Sequence, residues 1–132
     1  MEAVDYEYAF TDGPFDLVVT LVGAISRAQM IERRGGVLGD PRLQPGMCVL
    51  YDLTGMDATG LTADDIRTLA RDSRRYEEAK LGAVAVAAPA PLVYGLIRMF
   101  EAYATDVDIA EHVTVVDSVE AAYRWLEGLA AD

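Results

Sequence analysis

The sequence predicts a single α/β domain built on a five-stranded mixed sheet. Its 132 residues are 52% hydrophobic and 25% charged, which is typical of one globular domain. Apolar segments of strand length alternate with amphipathic segments of helix length, and this alternation implies right-handed crossovers and a largely parallel sheet. Two strand-like segments at the start are separated by only a short turn, so a hairpin should add an antiparallel edge. The predicted order over residues 1–132 is β-β-α-β-α-β-α-β-α.

The first two predicted strands form this hairpin. In residues 4–11, Tyr6, Tyr8 and Phe10 occupy alternate positions, so one face of the strand should be buried and the other solvated. The Asp-Gly-Pro sequence at residues 12–14 is a turn signal. Residues 15–22 are more apolar, and we expect them to pair with the first strand.

Each of the four predicted helices begins at a recognisable start signal. Three have a hydroxyl side chain at the N-cap and one has a proline in its first turn; these residues are Ser26, Thr62, Ser118 and Pro91. Gln29 lies three residues after Ser26 and predicts a capping box, and Asp65 is an imperfect partner at the same distance from Thr62. The starts of the helices are therefore better defined than their ends.

Short apolar runs predict the three remaining strands. Residues 47–53 form a continuous run that suits a central strand buried on both faces, and a loop rich in Thr and Gly follows. Residues 81–88 are mostly Ala and Val, and such small side chains let a helix approach the sheet closely. Residues 112–116 supply the fifth strand.

The charge of the chain excludes some classes of partner. Asp and Glu number 22 against 11 Lys and Arg, giving a net charge of −11, so we expect no binding to nucleic acid or to anionic membranes. The longest uncharged run, residues 81–97, is shorter than the roughly 20 residues that span a bilayer, and prolines interrupt it. The acidic N-terminus lacks the order of a signal peptide, and a single cysteine forms no intrachain disulfide. These features predict a cytoplasmic protein without membrane insertion.

The sequence shows no recognisable catalytic or metal-binding constellation. His112 is interpreted as a strand-edge residue rather than a general base, and Cys48 as a small core residue rather than a nucleophile. Asp57, Asp64 and Asp65 cluster near one helix start, where acids favour the helix dipole and need no metal to explain them. We therefore predict no enzyme activity, no metal and no cofactor.

Two regions resemble a known family. Residues 52–61, Asp-Leu-Thr-Gly-Met-Asp-Ala-Thr-Gly-Leu, resemble the loop of STAS domains, the anti-sigma factor antagonist superfamily, in which an Asp-Leu pair ends the third strand. Residues 93–102 and 120–126 resemble the stage II sporulation protein AA-like (SpoIIAA-like) subgroup of stand-alone bacterial domains, related to STAS and to CRAL-TRIO lipid-binding folds. The resemblance implies a STAS-like fold over the whole chain and a regulatory or ligand-binding role.

The resemblance also implies a site of phosphorylation. A kinase modifies the hydroxyl of this loop in STAS antagonists, and here Ala58 leaves Thr59 as the hydroxyl within the motif. The alternative for Thr59 is a plain turn or capping role. A protein partner would dock beside this loop, on a surface formed by Asp57, Gly60, Leu61, Arg67, Arg71 and Arg74. The alternative for the arginines is an ordinary solvated helix face.

The predicted helix over residues 91–105 is apolar on most of its circumference. Such a helix is buried on more than one side, forms a homodimer surface, or lines a pocket for an apolar ligand. Asp52, Tyr94 and Arg98 are the candidate residues of such a pocket, since a guanidinium suits an anionic ligand group. The alternative for Arg98 is a salt bridge, for example to Glu101.

Three functions follow in order of preference. The first is a non-enzymatic regulatory domain that works through contact with a protein partner, and it predicts an exposed loop at residues 57–61 without a cavity. The second is a small carrier or sensor of an apolar or amphipathic ligand, and it predicts a concave pocket lined by the third and fourth helices. The third is a small enzyme built around Asp52, Tyr94 and Arg98.

Overall fold

A mixed sheet runs through the protein with its strands in chain order. The computed structural model describes residues 5–104, 108 and 110–130. The five strands, ordered β1-β2-β3-β4-β5 across the sheet, are β1 Asp5–Phe10, β2 Leu17–Ala24, β3 Val49–Asp57, β4 Leu81–Ala87 and β5 Ala110–Val116. The β1 and β2 strands pair antiparallel, and all other neighbours pair parallel. This topology confirms the predicted α/β fold and its hairpin edge.

In the described part of the chain, three α-helices and a 3-10 segment connect the strands, and a fourth α-helix follows β5. They are α1 Arg27–Leu38, α2 Ala63–Asp72, the 3-10 segment Ser73–Ala79, α3 Pro91–Tyr103 and α4 Val119–Ala130. The predicted start signals are confirmed. Ser26 and Gln29 form a complete capping box, with N···O distances of 2.9 and 3.2 Å, and Thr62 and Asp65 form another. Pro91 lies in the first turn of α3.

The third strand is longer than the sequence predicts. We expect it to end at Leu53, but β3 continues to Asp57. The register shifts by one residue after the Thr20–Asp52 pair, where β3 has an extra residue, so that Val22 lies opposite Gly55 and the ladder continues. Part of the segment that resembles a STAS loop is therefore strand, and the exposed loop proper begins after Asp57.

The two faces of the sheet are covered unequally. Helices α1, α2 and α3 lie over one face, where the core includes Leu21, Leu53 and Ile66. Helix α4 covers the other face, where Ala122 packs against the alanines of β4. The small side chains of β4 allow this approach, as its composition predicts.

The apolar helix α3 is buried mainly on its inner side. Val93 and Leu96 are 2% and 9% exposed, and α3 contacts α2, β3 and β5. Leu92 and Tyr103, near its two ends, remain exposed. Within residues 5–104, 108 and 110–130, no helix has the length and apolar character needed to cross a membrane.

Candidate functional site

A cavity of about 320 Å³ remains between the sheet and the three helices that cover its first face. Its wall is largely apolar and includes Leu69 of α2, Ile97 and Phe100 of α3, and Val113 and Val115 of β5. Pockets that hold small molecules start at roughly 300 Å³ and are lined mostly by apolar side chains. The cavity therefore has the size and character of a small-molecule site.

The cavity wall is most exposed at the edge strand β5. Val113 is 49% exposed, whereas Val19 and Leu21, on β2 near the other edge of the sheet, are at most 1% exposed. Glu101 and Ala104, at the C-terminal end of α3, also line the cavity and are half-buried. This pattern places the opening between β5 and the end of α3.

The far side of the cavity carries most of its polar groups. Arg34 of α1, Tyr6 of β1 and Tyr51 of β3 contribute to the wall, together with Ser73. Burial raises the pKa of both tyrosines, and the positive charge of Arg34 opposes that rise. Both hydroxyls are consequently protonated and able to donate at neutral pH.

A network of hydrogen bonds fixes the guanidinium of Arg34. Its Nη2 donates to the Leu69 carbonyl and to Asp72 Oδ2, and its Nη1 donates to Ser73 Oγ, all at 2.9 Å. The aromatic rings of Tyr76 and Phe100 lie 5.4 and 5.8 Å from its central carbon, within cation–π range. The planar fork of arginine suits this set, because it reaches a carboxylate and two further oxygens at once.

Some donors of this region are unused. Arg34 Nε and Tyr76 Oη are buried without a hydrogen-bond partner among the described residues. The hydroxyls of Tyr6 and Tyr51 likewise have none within the described part of the chain, and both residues border the cavity. Unsatisfied buried polar groups each destabilise a protein by about 1–3 kcal/mol, so the pair formed by Arg34 Nε and Tyr76 Oη is unusual.

Sequence reasoning missed Arg34, although a signal was present. Met30, Arg34 and Leu38 are spaced four residues apart on α1, and all three line the cavity. A charged residue in the middle of an apolar helical stripe is either paired or functional. That pattern in residues 30–38 was the available indication of a polar group inside the core.

The predicted pocket residues Asp52, Tyr94 and Arg98 do not line this cavity. Asp52 Oδ1 accepts from the amide and the hydroxyl of Thr54, at 3.0 and 2.6 Å. Arg98 is 61% exposed and lies 3.7 Å from Glu101, which is the ion pair given as its alternative. Tyr94 borders a separate, shallow depression near the start of α3. That Asp52, Tyr94 and Arg98 bind a ligand stays a prediction.

The candidate phospho-acceptor Thr59 is exposed between β3 and α2. Its Oγ1 and its amide both donate to Asp57 Oδ1, at 2.7 and 3.0 Å. The bond from the amide, followed by that from the hydroxyl, lowers the pKa of Asp57 below its ordinary value. The two bonds therefore stabilise the folded protein when Asp57 is ionised. This stabilisation is complete above the pKa that Asp57 has in the unfolded chain, and it is lost as the pH falls through the lower pKa that Asp57 has in the folded protein.

The remaining residues of the predicted docking surface surround the start and outer face of α2. Gly60 is exposed, and Leu61 packs against the core. Arg67 lies 3.6 Å from Asp64 and 5.1 Å from the ring of Tyr103. The last two members, Arg71 and Arg74, are exposed, but α2 ends at residue 72, so Arg74 belongs to the 3-10 segment. The structure thus divides the arginine stripe between two elements.

The other chemically interesting side chains are dispersed. His112 is exposed on β5, and Cys48 is a half-buried free thiol. Among the residues that the structure describes, no group of three or more His, Cys, Asp or Glu side chains is arranged to hold a metal ion. Asp64 and Asp65 lie in the first turn of α2, as the dipole argument predicts.

The pairing of Arg34 predicts a large effect of removing its carboxylate. Asp72→Ala leaves the guanidinium, 13% exposed, without a counter-charge, so the free energy of unfolding should fall by roughly 3 kcal/mol. Glu120→Ala removes the exposed pair with Arg124, whose side chains are 81% and 65% exposed, and should lower it by less than about 1 kcal/mol. Urea denaturation measures both. Equal losses in the two variants would contradict the structural role of Asp72.

Comparison with known proteins supports the fold. No family model and no curated protein matches this chain. Among solved structures, the chain is similar to an uncharacterised protein of the DUF3478 family from Shewanella loihica PV-4, whose crystal structure is described as having a SpoIIAA-like fold. The two are 18% identical, the match covers 96% of this chain and 98% of that chain, and the TM-score is 0.54. The protein therefore has a SpoIIAA-like fold, as the resemblance in its sequence predicts.

Proposed function

We propose that the protein binds a small apolar or amphipathic molecule and acts as a carrier or sensor of it. The observation that supports this most directly is the apolar cavity of about 320 Å³ beneath α1, α2 and α3. Of the functions inferred from the sequence, the carrier is the one that requires such a cavity, although the residues around it differ from those expected.

The chemistry of the wall supports binding by the hydrophobic effect. Dry cavities lined by Leu, Ile and Phe side chains bind apolar molecules even at roughly 150 Å³, because water gains little there. Each Å² of apolar ligand surface removed from water contributes about 25 cal/mol. The wall around Ile66, Ile97 and Phe100 offers such a surface, and no chemical step is needed for this function.

A neutral fluorescent probe tests this proposal. N-phenyl-1-naphthylamine should bind the native protein with a rise in fluorescence, and Val113→Trp should weaken binding at least about tenfold, because the larger ring would fill the opening at β5. Val22→Trp is the matched control. Val22 is also on a strand and is 45% exposed, compared with 49% for Val113, but it lies outside the cavity wall.

Two results would contradict the proposal. One is a native protein that does not raise the fluorescence of the probe. The other is equal binding by the Val113→Trp variant and the Val22→Trp control, since the probe would then occupy another surface. Thermal melting of both variants shows whether each is folded at the temperature of the titration.

The second candidate function is regulation through a protein partner at the loop after β3. It is favoured by the exposure of Thr59 and Gly60 beside a helix start, where backbone N–H groups and the helix dipole stabilise a phosphate. Asp57, Asp64 and Asp65 are close to the same position, so an added charge of about −1.5 to −2 would disturb the local ion pairs. Arg27, 3.7 and 3.5 Å from Asp64 and Asp65, is one residue that such a change would affect.

Thr54 offers a matched control for this second function. Its hydroxyl donates to Asp52 at 2.6 Å, much as Thr59 donates to Asp57 at 2.7 Å, and both threonines are exposed. Regulation at the loop predicts phosphate on Thr59 and not on Thr54 when protein from its native cells is mapped by mass spectrometry. An unmodified Thr59, or equal modification of both, would argue against it.

A further inference from the structure

The tyrosine hydroxyls and the guanidinium of the cavity wall lie on one side of the cavity. Tyr51 is on the central strand β3, whereas Val113 and Val115 are on the edge strand β5, two strand spacings or about 10 Å away. Tyr6 and Arg34 belong to the same side as Tyr51, since the charge of Arg34 acts on both tyrosines and Tyr51 acts on Tyr6. A ligand that fills the cavity would therefore meet hydroxyl and guanidinium groups at one end only.

The polar end supplies donors that lack acceptors. The hydroxyls of Tyr6 and Tyr51 have no hydrogen-bond partner within the described part of the chain, although both residues border the cavity. Both hydroxyls are protonated at neutral pH, and burial raises the pKa of each further. A ligand group that accepts hydrogen bonds complements this end best. An ammonium could donate to the tyrosine oxygens, but it would leave the guanidinium, which only donates, without an acceptor and would be repelled by its charge.

The local charge favours an anionic acceptor over a neutral one. Arg34 and Arg75 both contact the single carboxylate of Asp72 at 2.9 Å, so these three groups carry one net positive charge. The acidic side chain that lines the cavity is Glu101, which lies near the opening and beside Arg98. Glu101 would repel an anion at the opening, and Arg34 would attract it at the inner end.

From this arrangement, and resting on the proposed function, we propose that the ligand is an amphipathic carboxylate. Its acid group lies against Tyr6, Tyr51 and Arg34, and its apolar part extends past Ile97 toward Val113. A volume of about 320 Å³ holds roughly ten non-hydrogen groups, if each takes the space of one water molecule. Octanoate is an acid of that size. The protein donors take the place of the water molecules that hydrate the carboxylate in solution. A charge can be buried only when its hydrogen bonds to water are replaced in this way.

Displacement of N-phenyl-1-naphthylamine by three ligands of equal chain length tests the proposal. Octanoate should displace the probe at a concentration at least about tenfold lower than octan-1-ol, since hydrogen bonds to a charged acceptor are the stronger kind. Octylamine should be the weakest competitor, because its ammonium would face Arg34. Equal or better displacement by octanol or octylamine would overturn the assignment of a carboxylate.

Tyrosine variants show whether the acid group lies where we propose. Tyr51→Phe and Tyr6→Phe should each weaken octanoate several-fold and leave octanol within about twofold. Tyr8→Phe is the control, because Tyr8 is on the same strand as Tyr6 but donates to Asp40 at 2.8 Å, outside the cavity. Melting curves establish that the variants fold, and the unchanged octanol affinity reports an intact cavity.

The outcomes separate this inference from the proposed function. If the protein binds the probe but does not prefer octanoate, the proposed function stands and the assignment of a carboxylate is refuted. The same holds if neither Tyr6→Phe nor Tyr51→Phe loses octanoate affinity selectively. A protein that does not bind the probe at all refutes both.

Discussion

A guanidinium beneath three helices must be neutralised and hydrogen-bonded, and this requirement organises one side of the protein. Arg34 of α1 meets it through Asp72, Ser73 and the carbonyl of Leu69, all at 2.9 Å. These partners lie where α2 ends and the 3-10 segment begins, so the pairing fixes α1 to the C-terminal end of α2. Burial of an unpaired charge would be strongly unfavourable, so α1 must be placed where Arg34 can reach these partners.

The same contact explains how a cavity persists in a small domain. Interiors are normally packed to the density of organic crystals, and a gap between helices and sheet would ordinarily be filled by side chains. Here the position of α1 is set by a polar network as well as by apolar packing, and Met30 and Leu38 line the space rather than closing it. The tyrosines of β1 and β3 then complete a polar end inside an apolar wall. Arg34 thus forms part of both the contact between α1 and α2 and the candidate site.

Local chemistry in the sequence predicts the fold well, and long-range contacts account for what it does not predict. The capping boxes at Ser26 and Thr62 involve residues three apart, so their patterns are readable in the chain. The extension of β3 to Asp57 depends on pairing with β2 beyond an irregularity, and Arg34 reaches Asp72 38 residues later. A cavity is a property of packing between elements, which no pattern along the chain encodes. For that reason the sequence suggested Asp52, Tyr94 and Arg98, while the enclosed space lies beside other residues.

The central claim is that an apolar molecule enters the space between the sheet and α1, α2 and α3. Methyl NMR of the native protein titrated with N-phenyl-1-naphthylamine tests it most directly, because the aromatic rings of the probe shift nearby methyl signals. We predict saturable shifts for Leu69, Ile97 and Val115, which line the cavity, and none for Leu92, which is 50% exposed on α3 away from it. Shifts confined to Leu92, with the cavity methyls unchanged, would contradict the account.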